Sequence, residues 1–291
     1  MVNVLQLIIL GLSLGGVFAL MASGLTLIFG VMKIVNLAHA ALILVAAYLA
    51  LILFERFGLD PLPSIFITMP VMFLLGLVIY RLLFARIADS ARYADSTVLL
   101  TFALALVVEG ILGYFFSGIY RSTTPEYATD TILLGPLYIP EGQFYATVVS
   151  FAALIALWAF LRYTRLGYAI RATTQNRTAA KTVGVNVGRI SLITFGIGVA
   201  LAGASGSLVT YLFTFFPAKH WEWIGVLMAL IVLGGMGSLL GSLVGALTLS
   251  VAAAFVGFYF GPNWAPTTFF LALFLILIIK PEGLYGIKVE V

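Results

Sequence analysis

The stretch LQLIILGLSLGGVFALMASGLTLIFGV, residues 5–31, decides the class of fold that this chain can adopt. It carries no Asp, Glu, Lys or Arg. Because a helix rises about 1.5 Å per residue and the hydrocarbon core of a bilayer is about 30 Å thick, roughly 20 such residues cross a membrane. The first six residues, MVNVLQ, lack the basic region and small-residue cleavage site of a signal peptide, so we expect this segment to remain as a span.

Composition extends this conclusion to the whole chain. Of its 291 residues, 63% are hydrophobic and only 9% are charged, whereas a soluble domain is usually about one-quarter charged. A membrane β-barrel would show segments of about ten residues with alternating polarity, which this sequence does not have. We therefore predict an all-α, polytopic transmembrane helical bundle. Because there is no cysteine, we expect no disulfide and no thiolate metal site, and the net charge of +4 is better explained by basic loops than by nucleic-acid binding.

Apolar runs between polar breaks define the candidate spans. They are residues 5–31, 37–54, 62–84, 97–118, 144–161, 190–214, 224–240, 243–260 and 265–279. Two of them flank the sequence GSLLG at residues 237–241 and are short enough for one to be re-entrant or broken. Eight and nine spans are both compatible with this pattern.

The basic residues predict the orientation, because cytoplasmic loops of membrane proteins are enriched in Lys and Arg. When alternate loops are assigned to alternate sides, one side holds only Arg56, Arg121 and Lys219 of the 15 basic residues. The other side collects Lys33, Arg81, Arg86, Arg92, Arg162, Arg165, Arg171, Arg177, Lys181, Arg189, Lys280 and Lys288. We expect the N-terminus outside and the C-terminus in the cytoplasm. Termini on opposite sides of the membrane require an odd number of crossings. The orientation therefore favours nine crossings, or eight segments of which one does not cross.

The cytoplasmic loop at residues 162–189 contains six basic residues and no acid. Asn176 can cap a helix and Gly184 can end it, which predicts a helix of about two turns between them. On that helix Ala179, Ala180 and Val183 share one face, the pattern of an element that docks into a groove. The charged and polar residues of the same helix point elsewhere: Arg177, Lys181 and Thr182. A second interpretation of the loop is a topogenic signal that lies on anionic headgroups.

Three stretches of sequence carry a family resemblance. They are GYAIRA (167–172) followed by QNRTAAKTVGVN (175–186), GVMKIVNLAH (30–39) and LGGMGSLLGSLVGA (233–246). Together they resemble permeases of the branched-chain amino acid ABC transporter family, specifically the LivH-type inner-membrane subunit. One departure is Ala40, which stands where the family often has glycine.

The resemblance implies a type II ABC importer-like permease, with residues 1–291 as a single transmembrane domain, in a bacterial or archaeal cytoplasmic membrane. The implied partners are two cytoplasmic ATP-binding subunits, an extracytoplasmic substrate-binding protein, and a second permease in a heterodimer or a homodimer. The implied substrates are leucine, isoleucine and valine, with urea, short amides and other amino acids as variants. The residues that would couple the loop to the ATPases are Gln175, Asn176, Arg177, Ala179, Ala180, Lys181 and Gly184.

Two segments on the opposite side of the membrane have candidate roles. The outward loop at residues 117–143 is the largest on its side and is a candidate docking platform for a binding protein. The short link PAKHWEW, residues 217–223, carries aromatic residues that suit an anchor at the headgroup level.

The chemistry of the chain points to transport without an energy source or catalytic site of its own. It lacks the Gly-x-x-x-x-Gly-Lys-Ser/Thr phosphate loop, and two histidines without a cysteine offer neither a nucleophile–base pair nor a metal-ligand cluster. We therefore expect no enzyme activity, no cofactor and no metal. The alternative to an ABC permease is a stand-alone secondary carrier or channel that uses Glu109 or His39.

Asn36, His39 and Glu109 are the candidates for the substrate pathway. Glu109 is a proton site, or it has a structural role beside a kink at Gly110 or against a polar group of another helix. Asn36 and His39 lie three residues apart and can face a polar path just inside the cytoplasmic interface. Alternatively, Asn36 is a helix N-cap and His39 lies at the headgroup level.

Small residues recur at four-residue spacing in several spans. They are Gly11 and Gly15, then Gly198, Ala202 and Gly206, and finally Gly237, Gly241 and Gly245. Ridges of this kind let transmembrane helices approach closely, since tight packing replaces the hydrophobic drive in lipid. They predict helix contacts, and a moving seam between helices is the second possibility.

Overall fold

A computed structural model describes residues 4–88, 92–280 and 282–285. Lys288, one of the basic residues used for the orientation, lies outside this described part. Within these ranges the α-helices are α1 (Val4–Met32), α2 (His39–Phe57), α3 (Pro61–Ile79), α4 (Ala85–Ile87), α5 (Tyr93–Phe116), α6 (Glu141–Tyr163), α7 (Arg165–Gln175), α8 (Arg177–Thr182), α9 (Val187–Leu212), α10 (His220–Gly234), α11 (Leu239–Phe260) and α12 (Ala265–Ile279). The strands are β1 (Thr131–Leu134) and β2 (Leu137–Pro140).

The described helices form a multi-pass membrane bundle. Eight of the helical segments are long and apolar enough to cross a bilayer. One of them, Pro61–Ile87, joins α3 to α4 through a π-helical turn (Tyr80–Phe84), and another, Pro262–Ile279, joins α12 to the short 3-10 turn before it. The remaining long element, α10, has 15 residues, which corresponds to about 22 Å. The short element next to the glycine-rich break is therefore α10, whereas α11 has 22 residues.

Helix α9 lies at the centre of the bundle, with 83% of its span buried against α1, α2 and α3. Small residues make this possible. A methyl group at Gly198 would approach the Ile28 side chain to 2.7 Å, and Ala202 is fully buried. The helix axes are thus close enough for backbone and side-chain atoms to touch directly, which is how packing stabilises helices in lipid.

The link between α10 and α11 separates the glycines that the sequence pattern placed on one ridge. Gly241 packs against the Gly234 backbone and Gly245 against the Leu230 carbonyl, so both face α10. Gly237 instead lies in the link with φ of 88° and approaches Gly30. The prediction that Gly237 belongs to a helical ridge with Gly241 and Gly245 is therefore wrong. The Ser238 hydroxyl accepts from the Gly241 N–H and caps α11, which begins only after Gly237.

A β-hairpin adds to the predicted all-helical architecture. Strands β1 and β2 are antiparallel, with Ile132 opposite Ile139, and Gly135 at the turn has φ of 64°. The Gln6 side chain holds the hairpin against α1: its Nε2 donates to the Tyr138 carbonyl and its Oε1 accepts from the Tyr138 N–H at 2.9 Å. We call the end of the bundle that carries this hairpin the hairpin end, and the end that carries α7 and α8 the α8 end.

Candidate functional site

The short helix α8 forms as the capping pattern predicts. The Asn176 side chain accepts from the Ala179 N–H at 2.9 Å, and Gly184 follows the helix with φ of 85°. The Val185 N–H returns to the Ala180 carbonyl at 3.0 Å, which closes the C-terminal turn. The existence of the helix and both of its caps are confirmed, since local hydrogen bonds determine them.

The three apolar residues predicted to share one face of this helix differ in burial. Ala180 is buried against the rest of the chain, whereas Ala179 is exposed and Val183, which directly follows the helix, is 77% exposed. The helix therefore buries one small apolar side chain against its own bundle, to which Arg177 adds electrostatic interactions with Tyr93 and Tyr80, and it leaves the other two apolar residues on the surface.

Helix α7 differs from the sequence prediction, in which the polarity of residues 162–175 indicates a loop. The Thr164 hydroxyl accepts from the Gly167 N–H at 2.9 Å and starts the helix. Gly167 lies against the Phe160 and Leu161 backbone, and Ile170 and Thr173 are buried three residues apart. That cap and spacing are signals by which the helix can be found.

Asn36 is buried in a non-helical segment, residues 33–38, between α1 and α2. Both its side-chain oxygen and its nitrogen are buried without a hydrogen-bond partner. The N-cap interpretation of Asn36 is wrong, because α2 begins at His39 with Ala38 as its N-cap residue. Burial of an unpaired polar group costs about 1–3 kcal/mol of folding free energy. The Asn36 amide is thus a buried polar group whose hydrogen-bonding capacity is unused.

His39 lies deeper than the headgroup-level alternative placed it. Its Nε2 is 3.1 Å from the Met21 carbonyl, in the interior of α1, and the imidazole packs against Gly24. The Nδ1 atom is buried without a partner. Asn36 and His39 are thus both buried at the junction between two spans.

Glu109 belongs to a separate cluster at the start of α10. Its Oε2 is 3.1 Å from His220 Nε2 and accepts from Trp221 Nε1 at 2.9 Å, while the side chain remains 28% exposed. Helix α5 continues through Gly110, so the carboxylate pairs with another helix and caps no break in its own. Trp221, expected as a headgroup anchor, donates to a group inside a span.

At the hairpin end, a side-chain hydrogen bond joins the outward loop to the start of α3. The Tyr127 hydroxyl donates to Asp60 Oδ1 at 2.7 Å, and Asp60 in turn caps the first turn of α3. Burial and the neighbouring Asp60 carboxylate raise the pKa of the Tyr127 phenol, so it stays a neutral donor. On β1, Leu133 is 75% exposed.

Two cavities open at opposite ends of the bundle. One of about 300 Å³ lies at the α8 end beside Arg162 and Arg171. The other, the hairpin-end cavity, has a volume of about 480 Å³ and lies between α1, α10, α11 and α12. Its lining includes Lys219, Glu222 and Ser250, none of which the sequence analysis selected, because their convergence depends on helices that are distant in sequence.

Comparison with known proteins agrees with the sequence resemblance. The family model described as branched-chain amino acid transport system / permease component matches residues 7–279. The high-affinity branched-chain amino acid transport system permease protein LivH of Salmonella typhimurium is 25% identical over 304 residues, covering 97% of this chain and 95% of the relative. The corresponding permease protein BraD of Pseudomonas aeruginosa is 28% identical over 306 residues, with the same coverages.

A solved structure shows the same fold. The structure of PsaBC from Streptococcus pneumoniae in complex with Fab contains a chain that matches with a TM-score of 0.52 at 13% identity, covering 94% of this chain and 92% of that one. The resemblance noted in the sequence is thereby confirmed. The chain belongs to the family of permease components of branched-chain amino acid transport systems.

Proposed function

We propose that the chain is the membrane-spanning subunit of an ATP-driven uptake system in a bacterial or archaeal cytoplasmic membrane, which moves branched-chain or related amino acids inward by alternating access. Its partners in this proposal are two cytoplasmic ATP-binding subunits, a second permease and an extracytoplasmic binding protein. The observation that carries the proposal is the exposed apolar surface at the C-terminal end of α8, where Val183 is 77% exposed.

This surface supports docking for an energetic reason. A helix of six residues is not stable by itself in water, and burial of Ala180 provides little apolar area in this chain. An exposed valine beside a cation suits a groove on another protein, in which the apolar face is covered and the charge stays at the rim.

Charge supports the orientation. The α8 end carries Arg165, Arg171, Arg177 and Lys181, which is the enrichment expected of the cytoplasmic side. The hairpin end then faces outward, and the exposed Leu133 side chain suits contact with a binding protein.

The junction of α1 and α2 is the proposed part of the substrate pathway in this subunit. Non-helical backbone at the site of a transporter leaves polar groups that a passing substrate can use, and Asn36 and His39 have unpaired atoms in and next to the non-helical link between these two spans. Glu109 has a structural role in this proposal, because His220 and Trp221 already occupy its Oε2 atom.

Paired surface substitutions test the proposal. Val183→Glu, in complexes expressed with the ATP-binding subunits, should abolish co-purification of those subunits, while Leu133→Glu should leave it intact. The two residues are apolar, are 77% and 75% exposed, and lie at opposite ends. Lys181→Glu and Ala180→Arg should act as Val183→Glu does. Retention of the ATP-binding subunits by all three variants would refute the coupling role of α8, and leucine uptake without ATP would refute the function.

A further inference from the structure

We propose that the hairpin-end cavity is a binding site for an α-amino acid with an apolar side chain, held by both of its charged groups at the mouth and by aromatic rings inside. The inference rests on the proposed function, for which it supplies a place where this subunit holds its substrate. It concerns residues that neither the coupling helix nor the α1–α2 junction includes.

The inner wall of the cavity is aromatic. The ring centroids of Phe18 lie 5.9 Å from Phe213 and 5.6 Å from Phe269, and Phe213 lies 6.4 Å from Trp223. These rings come from α1, α10, α12 and the segment after α9, so they form a continuous apolar surface rather than a patch on one helix. A volume of about 480 Å³ is within the usual range of small-molecule sites, and a branched aliphatic side chain fits such a wall.

Two opposite charges stand together at the same cavity. Lys219 Nζ and Glu222 Oε2 are 2.6 Å apart, and both residues line the cavity with side chains only partly exposed. An α-amino acid carries an ammonium and a carboxylate on one carbon, so its ammonium can pair with Glu222 while its carboxylate pairs with Lys219. Because the two side chains already neutralise each other, each charge of the ligand replaces an existing partner and no unpaired charge is buried.

Ser250 supplies a third polar group that has no partner. The residue is 4% exposed, lines the cavity, and its hydroxyl is buried without a hydrogen bond. Some hydroxyls in the spans bond back to their own helix, as Ser205 does to the Leu201 carbonyl and Thr248 to the Val244 carbonyl, whereas Ser250 shares its lack of a partner with Ser150, Ser191, Thr194 and Thr268 but is the one of these five that lines this cavity. The Ser250 hydroxyl therefore remains available to a ligand carboxylate or ammonium, and its burial without a partner is otherwise unfavourable.

This combination selects a ligand class. An acyl chain of a lipid satisfies the aromatic wall and leaves the hydroxyl unpaired. An acidic amino acid places a second carboxylate against the rings, where it loses its hydration. A zwitterion with an aliphatic side chain satisfies the wall, the two charges and the hydroxyl together.

The absence of cysteine from the chain makes a direct test possible. Ala254 lines the cavity, whereas Ala252 on the same helix does not, and both are half-buried. Full-length Ala254→Cys and Ala252→Cys chains in lipid nanodiscs would be labelled with N-ethylmaleimide in the presence of leucine, isocaproate, which lacks the ammonium, or isoamylamine, which lacks the carboxylate. We expect leucine to slow labelling of the first variant alone, and the two analogues to protect it about tenfold less well or worse.

Charge variants complete the test. Lys219→Gln and Glu222→Gln in the Ala254→Cys background should each weaken protection by leucine about tenfold or more. Equal protection by leucine and both analogues would overturn the proposal, since the cavity would then recognise only apolar volume. Absence of protection by leucine would also overturn it.

A transport measurement separates this inference from the proposed function. In the assembled transporter, Ala254→Phe should lower ATP-dependent leucine uptake and Ala252→Phe should not. Unchanged uptake by the Ala254→Phe transporter would overturn the binding site while the proposed function stands. Failure of the wild-type transporter to take up leucine with ATP would refute the proposed function, whatever the labelling shows.

Discussion

Substitution of Gly206 by alanine tests the packing of the bundle at its tightest point between α2 and α9. A methyl group at this position would lie 2.5 Å from the Ala46 Cβ, 2.6 Å from the Ile43 carbonyl oxygen and 2.7 Å from the Ala47 nitrogen. Carbon atoms pack favourably at about 3.5–4.0 Å, so the two helices would have to separate by about 1 Å. Two of the three atoms belong to the backbone and cannot rotate away.

The expected magnitude follows from two opposing effects. Overpacking of a filled core costs about 1–3 kcal/mol, and backbone contacts place this site at about 3 kcal/mol. Replacement of glycine by alanine in a helix returns about 1 kcal/mol. The net destabilisation is about 2 kcal/mol, which lowers the Tm by roughly 4–8 °C for a chain of this size.

The assay is thermal unfolding of the purified chain in detergent micelles, with Gly113→Ala as the matched control. Gly113 is also a glycine inside a span, on α5, but a methyl group there meets nothing within 4 Å. We expect the control to be as stable as the wild type or slightly more stable. A Gly206→Ala chain that unfolds at the wild-type temperature, or a Gly113→Ala chain that falls by the same amount, would refute the packing argument.

Three further substitutions have defined outcomes. Gln6→Ala removes both hydrogen bonds to Tyr138 and should release the hairpin from α1, which would be measured as faster proteolysis between β1 and β2. An unchanged cleavage rate would show that Gln6 does not hold the hairpin. Asn176→Ala removes the N-cap of α8 at a cost of about 1 kcal/mol, which hydrogen exchange at Ala179 should report as roughly fivefold faster exchange than in the wild type. Glu109→Gln keeps an acceptor for the Trp221 N–H, so ATP-dependent uptake should persist; loss of uptake would favour a proton-coupled carrier.

The helix α8 was predictable because its determinants are adjacent in the chain. An asparagine that accepts from a backbone N–H three residues later, and a glycine that adopts a positive φ after the last turn, act within one short segment. The same kind of signal marks α7 at Thr164, but residues 162–175 were treated as loop because of their polarity. The β-hairpin was missed because each of its strands has four residues and its stability depends on the Gln6 side chain of α1.

The partners of polar residues inside spans were not predictable. Glu109 was recognised as a buried acid, yet its partners lie 111 and 112 residues further along the chain, and no local pattern encodes them. Asn36 has the sequence context of an N-cap, and only the fold shows that α2 starts later and leaves the amide unpaired.

The sequence by itself determined that this is a polytopic membrane protein, which segments are apolar enough to span, and where the capped helix α8 lies. These properties follow from hydrophobicity and from hydrogen bonds between near neighbours in the chain, which do not depend on the rest of the fold. The tertiary structure alone decided that Gly237 leaves the helical ridge, that Glu109 pairs with α10, and that Lys219, Glu222 and Ser250 converge on one cavity. Each of these depends on which helices pack together, and in a bilayer that is decided by close van der Waals fit and polar pairing between distant segments.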